Sequence, residues 1–394
     1  MDIQTRSASA ADKWGVKVSM PTFTDGTLDE GSAKVTLTLP KNRTNYKALL
    51  RVSIIDNKGQ EFSVNRIVWF KADEDANVID NTTGDLASKI TTPASVKQLS
   101  VIGTVSDDDF AFIRENMTSI EVLDLSRATI AELPLRAMAF YSSMGLSDNT
   151  SLTTVILPET LIEIGQSAFA MCTALKEMNI PTSMRSIGSW AFEECQSLAQ
   201  LTLPDELTEL SHDAFYSCGI KNINIPLGVT VLNDGLFAYC SNLETVTLHD
   251  NITSIGNDVF SICKNLLPKK FVLPSKVTSV GARAFTYTGL TSVKIPEGVT
   301  CIGHSAFNNC TIKAVDIPST VTSLASTAFY WKEADVVICR SLTVPTIDEE
   351  DPDPSGGSNH YDPFYQIKSA CILKKPAEAD YSAWNSYFNR IQNL

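Results

Sequence analysis

A phenylalanine returns every 22 to 25 residues through the middle of this 394-residue chain. The eight copies are Phe169, Phe192, Phe215, Phe237, Phe260, Phe285, Phe307 and Phe329. Proline stands eleven residues before seven of them, with His249 in the remaining copy, and glycine stands four residues before five of them. Offsets kept through so many copies indicate one repeating structural unit. A period in the twenties is typical of a solenoid, whose units bury their apolar faces against their neighbours.

Each copy begins with a short run that ends at the proline, as in the segment from Leu175 through Met178 and Ile180 to Pro181. The alternation at the end of this run predicts a short strand with one buried face. Proline cannot donate a ladder hydrogen bond, so it ends the strand. Alanine directly precedes six of the eight phenylalanines, which indicates a narrow site against the neighbouring turn. We expect the phenylalanines themselves to be buried.

These offsets resemble those of the BspA-like class of the leucine-rich repeat superfamily, whose units share the proline, glycine, Ala-Phe and cysteine positions. The resemblance covers residues 95–394. It implies a β-rich solenoid of short parallel strands with an irregular or short-helical outer side, capped at both ends and placed at residues 91–394. Residues 99–110 and 120–126 look like the family's N-terminal cap and first turn. An insertion between Tyr141 and Asn149 departs from the pattern.

The closing segment is expected to be a strand followed by a capping helix. Residues 370–376 are similar to the family's last strand. Tyr381, Trp384 and Phe388 then follow at spacings of three and four residues, which places them on one face of a helix. The last turn of a solenoid exposes an apolar face, so this helix would cover it.

The first ninety residues lack the repeat and predict a small β-sandwich of the immunoglobulin-like kind at residues 1–90. Alternating or nearly alternating apolar residues indicate strands at 35–39, 50–54 and 62–70, with a turn at 56–59. Such a module serves as a spacer or as a sugar-binding domain, and both interpretations stay open. Trp14 and Trp69 exposed together on one face would favour sugar binding.

Six of the nine cysteines lie three residues after a repeat phenylalanine. They are Cys172, Cys195, Cys218, Cys240, Cys263 and Cys310. The shared offset predicts a ladder of buried free thiols whose weak S–H donors serve the backbone. Disulfides between neighbouring turns are an alternative, because the turns lie about 5 Å apart. A metal site is disfavoured, since there is no Cys-x-x-Cys spacing and the four histidines follow no ligand pattern.

The formal net charge of −13 and the pI near 4.8 disfavour nucleic acid as a partner, because an acidic surface repels phosphate. No run approaches the roughly 18 apolar residues of a transmembrane segment. The first residues, from Met1 to Arg6, carry no export signal. The protein is therefore either cytosolic or exported with its signal removed. The resemblance favours export to the cell surface or outer membrane, with room for a lipid anchor on the full-length precursor.

Motifs of common enzyme classes are absent from the sequence, which contains no Gly-x-Ser-x-Gly, phosphate loop, Gly-x-Gly-x-x-Gly or His-Glu-x-x-His. We therefore expect neither catalysis nor a cofactor. The densest acidic cluster runs from Asp348 to Asp353. It could hold calcium through oxygen ligands, but it lacks the spaced pattern of a calcium loop, so an acidic loop is the favoured interpretation.

Side chains that point outward from the predicted strands form two rows, which we call the inner face. Its candidate partner-binding residues are Asn179, Thr202, Asn224, Thr247, Lys294 and Asp316 in one row and Glu177, Gln200 and Asn222 in the other. The rows contain no aromatic residue, which weakens a sugar-binding face and favours a protein partner held by hydrogen bonds, or no partner there. Small polar residues are also what any exposed strand carries.

The sequence thus predicts a non-enzymatic, cell-surface repeat protein that binds or adheres to a host or bacterial protein through its solenoid. The alternative is a carbohydrate-binding accessory protein of surface glycan uptake, with the N-terminal domain as the sugar site. A hydrolase would need a pocket that joins a perturbed carboxylate to a histidine, and the sequence indicates none.

Overall fold

A computed structural model describes residues 78–142, 145–266, 271–330, 334–348, 362–364 and 367–394, together with four strand segments nearer the N-terminus. The chain divides into two compact units, Met1–Val78 and Ile79–Leu394. Each unit is built from β-strands, but their pairing differs: it is antiparallel in the first unit and mainly parallel in the second.

The first unit is described by β1 (Lys17–Ser19), β2 (Thr36–Thr38), β3 (Tyr46–Ile55) and β4 (Glu61–Phe70). β1 pairs antiparallel with β2, and β3 pairs antiparallel with β4 from Tyr46 opposite Phe70 to Ile55 opposite Glu61. The strands predicted at residues 35–39, 50–54 and 62–70 coincide with β2, β3 and β4. The predicted turn at 56–59 lies outside the described residues, as do the packing of a sandwich and the side chains of the two tryptophans.

The N-terminal cap comprises β5 (Val78–Asn81), α1 (Leu86–Lys89), a 3-10 turn (Pro93–Ser95), β6 (Gln98–Thr104), α2 (Asp107–Asn116) and β7 (Val122–Thr129). The sequence assigns residues 79–90 to the first domain, whereas here they lie in the second unit. The Asn81 side chain donates to the Thr104 carbonyl oxygen at 2.7 Å and to Asp109 at 3.0 Å. Asp109 also accepts from the Leu86 amide at 2.8 Å. These contacts tie β5 and α1 to α2, so the second unit begins before the repeat pattern does.

The turns that follow contribute short strands. In chain order they are β8 (Glu132–Leu133), β9 (Phe140–Ser142), β10 (Gly145–Ser147), β11 (Thr154–Ile156), β12 (Glu163–Ile164), β13 (Glu177–Met178), β14 (Ser186–Ile187), β15 (Glu209–Leu210), β16 (Asn222–Asn224), β17 (Val231–Leu232), β18 (Thr245–Thr247) and β19 (Ser254–Ile255). They continue as β20 (Phe271–Val272), β21 (Ser279–Val280), β22 (Val293–Lys294), β23 (Cys301–Ile302), β24 (Ala314–Ile317), β25 (Ser323–Ala325), β26 (Val336–Cys339), β27 (Thr346–Asp348), β28 (Ile372–Lys375) and β29 (Arg390–Asn393).

Successive turns add these strands to two stacks. The first stack contains β5, β6, β7, β11 and β13, then β16 and β18, then β20, β22, β24, β26, β28 and β29. The second contains β8, β12, β14 and β15, then β17, β19, β21, β23, β25 and β27. Pairing from β6 onward is parallel in both stacks. The result is the predicted parallel solenoid, with about 11 turns. β9 and β10 form an antiparallel hairpin within the predicted insertion.

The segment of each turn that carries the repeat phenylalanine is irregular. Residues two before and two after it have left-handed backbone angles, as at Asp213 (φ 54°) and Ser217 (φ 53°) around Phe215. Alternate amides donate to the next turn, for example from Phe215 to the Leu236 carbonyl oxygen at 3.1 Å. The amides between them bond within their own turn, as from Cys218 to the Phe215 carbonyl oxygen at 3.1 Å. This alternation satisfies the backbone of a curved segment without a helix.

The repeat phenylalanines are buried, with 0 to 1% of their surface exposed, which confirms the prediction. Their rings run in one stack from Phe169 to Phe329, with neighbouring centroids 5.2 to 5.8 Å apart. Most neighbouring planes lie within 10° of each other. The planes of Phe260 and Phe285, which are 25 residues apart in the sequence, differ by 25°, and Phe271 stands edge-on to both rings. One aromatic spine therefore passes through these turns.

The glycine four residues before the phenylalanine lies where successive turns approach closely. A Cβ at Gly281 would lie 2.6 Å from the Asn257 amide nitrogen, and one at Gly303 would lie 2.6 Å from the Ala282 amide nitrogen. Real Cβ atoms do not approach backbone so closely. Neither glycine has a left-handed φ, so the close approach of the turns, and not backbone conformation, requires them.

The C-terminal end differs from the sequence prediction. Residues 381–389 form no α-helix; a single 3-10 turn, Ser382–Trp384, is followed by β29, which pairs parallel with β28. Tyr381, Trp384 and Phe388 are nevertheless buried, with 1 to 3% of their surface exposed. The aromatic residues thus pack as expected without the predicted helix. Pairing along β28 satisfies backbone groups that a helix would have left at the sheet edge.

Candidate functional site

The first stack aligns the candidate inner-face residues turn above turn. The paired residues are Thr154 with Glu177, Gln200 with Asn222, Asn222 with Thr245, Asn224 with Thr247, Val272 with Lys294, and Lys294 with Asp316. Neighbouring strands of a sheet lie about 4.8 Å apart, so adjacent side chains in a row are within reach of one bound segment. The register follows from the repeat offsets.

Most of these side chains are open to solvent. The exposed members are Gln200, Thr202, Asn222, Asn224, Thr247 and Lys294, and the partly buried ones are Glu177, Asn179 and Asp316. The exposed set offers hydroxyl and amide groups and a single cation. Such a surface can recognise a partner through hydrogen bonds and has little charge of its own.

Two candidate asparagines already bond neighbouring turns. Asn179 accepts from the Leu157 amide at 2.7 Å and donates to the Leu157 carbonyl oxygen at 3.0 Å. This side chain takes the place of ladder hydrogen bonds just beyond the end of β13. Asn222 accepts from the Thr245 hydroxyl at 2.5 Å. Asn179 therefore braces two turns, whereas the Asn222 contact lies at the surface and can exchange with a ligand.

Asp316 forms a two-point ion pair with Arg340, which sequence reasoning missed. The Arg340 Nε and Nη2 atoms each lie 2.6 Å from one carboxylate oxygen. Arg340 follows β26 in a turn that lacks the repeat phrase, so no sequence offset marks it. The row continues past Asp316 through Ile338, Lys374 and Gln392. The inner face is thus longer than the sequence indicates, and its C-terminal part carries more charge.

The six ladder thiols are buried and free, as predicted, and the disulfide alternative is not formed. The Cys240 thiol donates to the Phe215 carbonyl oxygen at 3.0 Å, and the Cys310 thiol donates to that of Phe285 at 3.1 Å. Burial raises the pKa of the Cys218 and Cys310 thiols to about 12. Thiols held protonated in this way are unreactive. They serve the backbone between turns.

Neither a metal site nor a membrane-spanning helix is present in the described part of the chain. No group of three His, Cys, Asp or Glu side chains there is placed to hold a metal ion. The acidic cluster that begins at Asp348 continues outside the described residues. Among the described helices none is long and apolar enough to cross a membrane.

The repeat architecture matches a known family. The model of the BspA type leucine-rich repeat region matches residues 144–267 and 267–349, in six copies. These segments make up just over half of the chain and contain the spine from Phe169 to Phe329. The chain belongs to the BspA-type leucine-rich repeat family.

Solved leucine-rich repeat structures resemble this family member. A leucine-rich repeat protein from Bacteroides ovatus is 23% identical over 70% of this chain and 69% of that one, with a TM-score of 0.50. This likeness shows the fold. One from T. pallidum is 30% identical over 43% of this chain and 77% of that one, with a TM-score of 0.37. A leucine rich cell surface protein from Faecalibacterium prausnitzii is 18% identical over 86% and 96%, with a TM-score of 0.33. No curated protein matches the chain.

Proposed function

We propose that this family member is a non-enzymatic, exported cell-surface protein whose solenoid binds a host or bacterial protein through the inner face. Membership of the BspA-type repeat family supports a surface protein-interaction role. The observation that carries the proposal is the aligned series of exposed hydroxyl and amide side chains from Gln200 through Asn222 and Asn224 to Thr247. A broad, rigid surface of aligned side chains is what solenoids use to hold partners.

Within this proposal the candidate residues differ in their roles. Thr202, Asn224, Thr247 and Lys294 are exposed and would contact the partner directly. The second row, of Glu177, Gln200 and Asn222, would border the contact. Asn179 braces the turns beneath it. Asp316, paired with Arg340, would form a charged end to the site. No cofactor or metal takes part.

The proposal also assigns the N-terminal domain and the location of the protein. Residues 1–90 would act as a spacer that carries the solenoid away from the cell, behind a removed signal or a lipid anchor on the precursor. Antibody against the chain should label intact cells of the source organism. Labelling only after the cells are permeabilised would contradict the surface location.

Binding of the full chain to panels of extracellular matrix proteins and glycans tests the partner. Thr247→Arg puts a long cation in the middle of the inner face and should weaken binding of a protein partner about tenfold or more. Thr230→Arg makes the same change at an exposed residue just before β17, in the second stack, and should leave binding unchanged. Equal effects of the two substitutions would contradict the inner face. Binding to glycans alone would favour the carbohydrate alternative.

A further inference from the structure

The acidic charge of this protein is concentrated in one part of the solenoid. Between Arg185 and Lys264 the chain carries ten Asp and Glu residues and one cation, Lys221, among the lysines and arginines. This stretch alone has a formal charge of −9, against −13 for the whole chain. The inner face does not use this charge, because its exposed residues there are threonine, asparagine and glutamine.

Part of this charge lies among partly or fully exposed aromatic rings beside the phenylalanine spine. We call this surface the edge patch. Its members are Trp190, Glu193, Glu194, His212, Asp213, Tyr216 and Tyr239. They come from the irregular segments of three successive turns, flanking Phe192, Phe215 and Phe237. Backbone hydrogen bonds join these turns, for example from the Glu194 amide to the Tyr216 carbonyl oxygen at 2.9 Å.

The rings of the edge patch are paired across turns. The Trp190 and His212 rings lie 4.7 Å apart between centroids, with 85° between their planes. The Tyr216 and Tyr239 rings lie 5.1 Å apart at 42°. Tyr239 is 46% exposed, and its backbone is left-handed (φ 63°). Because the rings of each pair are not parallel, they form no flat platform.

The carboxylates of the patch lie close enough to repel one another. Burial, with the charges of Glu194 and Asp213, raises the pKa of the Glu193 carboxyl. Burial also raises the pKa of Asp213, against the opposing effect of His212, whose Nδ1 lies 3.5 Å from the carboxylate. Glu194 accepts from the neutral Gln196 amide at 2.6 Å. No described Lys or Arg pairs with these three carboxylates.

Other carboxylates of the solenoid show the contrast. Two turns further along, Asp258 receives Arg283 through two contacts, at 2.9 and 2.6 Å. Asp316 receives Arg340 in the same two-point way. An arginine on the following turn therefore neutralises each of these two carboxylates. The edge patch has no such arginine among the described residues and keeps an excess of negative charge.

We propose that the edge patch binds a basic segment of a protein partner, receiving Lys or Arg side chains between the aromatic rings and the carboxylates. A cation near an aromatic face gains cation–π attraction in addition to its ion pairs. A glycan is disfavoured because the tilted and edge-on rings offer no flat stacking surface. A metal ion is disfavoured because no three acidic or histidine side chains in the described residues converge. The inference rests on the proposed function in taking the partner to be a protein, but it uses a different surface.

A fluorescein-labelled peptide of alternating lysine and glycine provides the probe, with fluorescence anisotropy of the full chain as the measurement. The double variant Glu193→Gln/Glu194→Gln should weaken binding about tenfold, the effect of losing about 1.4 kcal/mol. Asp205→Asn/Glu206→Gln makes the same charge change at exposed residues after Pro204 and should alter binding by less than about twofold. The same peptide with acetylated lysines should not bind.

A second pair of variants, one in the patch and one outside it, tests what the aromatic rings contribute to peptide binding. Tyr239→Ser should weaken peptide binding about threefold or more, as expected for a lost cation–π contact at a partly exposed site. Tyr287→Ser changes a tyrosine at the same repeat position, with similar exposure (50%) and φ (53°), outside the patch, and should have no effect. Serine suits this position, since Ser217 occupies it with φ 53°.

Equal weakening by the patch and control charge variants would overturn the inference, because only net charge would then matter. Loss of glycan binding in the patch variants, without peptide binding, would overturn it in favour of a sugar site. If a panel protein binds and responds to Thr247→Arg but not to the patch variants, this inference alone fails. If the peptide results hold while no panel protein binds, the edge patch stands and the inner-face proposal fails.

Discussion

The middle of the solenoid and its C-terminal end bury aromatic rings in two different arrangements. In the middle, the Phe192, Phe215 and Phe237 rings stack face to face, with 3° and 6° between neighbouring planes. Each ring there has one neighbour above and one below, supplied by the same phrase of sequence. This arrangement can be extended by adding another turn.

At the C-terminal end the arrangement closes. Phe364 still stacks on Phe329, with centroids 5.8 Å apart, although it follows a proline instead of the repeat alanine. Trp384 and Phe388 then stand edge-on to Phe364, at 65° and 66°. Edge-on rings cover the exposed face of the last ring and offer no parallel face in turn. The stack is thus propagated by repetition of one sequence pattern and terminated by a change of ring orientation.

Removal of the closing segment should have the largest effect. A chain ending at Pro376 loses Tyr381, Trp384, Phe388 and β29, which exposes Phe364 and the edge of β28. Uncovered apolar surface and an unpaired strand edge favour association. We expect aggregation or a markedly lower melting temperature, measured by size-exclusion chromatography and circular dichroism. A truncated chain that stays monomeric and equally stable would show that these residues do not form the cap.

Alkaline pH should destabilise the solenoid, because the buried thiols of the ladder hold their protons in the folded chain and lose them on unfolding. The folded pKa of Cys218 and Cys310 is about 12, against 9.0 for the ordinary thiol. Between these values the folded chain holds protons that the unfolded chain has lost, so stability is full below pH 9 and falls as pH rises. Each such thiol contributes a slope of at most about 1.4 kcal/mol per pH unit.

Urea unfolding in reducing buffer at pH 7.5 to 10 would measure this slope. The double variant Cys218→Ala/Cys310→Ala should flatten it relative to the unchanged chain. An equal slope in both proteins would assign alkaline unfolding to other groups.

Truncation of one ring in the middle should cost about 3 to 5 kcal/mol. Phe237→Ala removes a fully buried ring and leaves a cavity between Phe215 and Phe260, so transfer and cavity terms add. Phe237→Leu keeps most of the volume and should cost less. Urea denaturation of both variants measures the difference. A small loss for the alanine variant would mean that neighbouring turns collapse onto the site.

A methyl group at a close approach between turns should cost about 1 to 3 kcal/mol, as overpacking does. Gly281→Ala forces its Cβ against the backbone of Gly256 and Asn257. Ser211→Ala, at the same repeat position where a Cβ is already present, should be near neutral. Thermal unfolding of the two variants would test the comparison, and equal melting temperatures would show that the turns can separate without cost.

The smallest effect should come from the hydroxyl at the closing end. Tyr381→Phe removes the hydroxyl, which donates to the Ser341 carbonyl oxygen at 3.0 Å and lies 2.9 Å from the Cys339 sulfur. We expect a loss of about 1 kcal/mol, the usual net value of a buried hydrogen bond. A neutral substitution would mean that ring packing alone positions the cap.

Much of the inner face could be predicted, because strand register follows from the repeat offsets. Gln200, Asn222 and Thr245 fall in one row by counting residues, and the parallel pairing agrees. The bonding of Asn179 to Leu157 could not be predicted, since an asparagine at a strand end is equally suited to solvent. The ion pair of Arg340 could not be predicted, because the turn that contains Arg340 lacks the repeat pattern from which strand register is counted.

The sequence by itself determined what each turn buries and how turns align, namely the phenylalanine spine, the thiol ladder and the parallel strands. Those features depend on short patterns repeated at one period, so each copy supports the same assignment. Only the tertiary structure decided the left-handed residues that no glycine marks, the closing strand in place of a helix, and the edge patch. These features depend on contacts between segments some 22 residues or more apart. The local sequence allows several conformations equally, and packing against the neighbouring turns selects one of them.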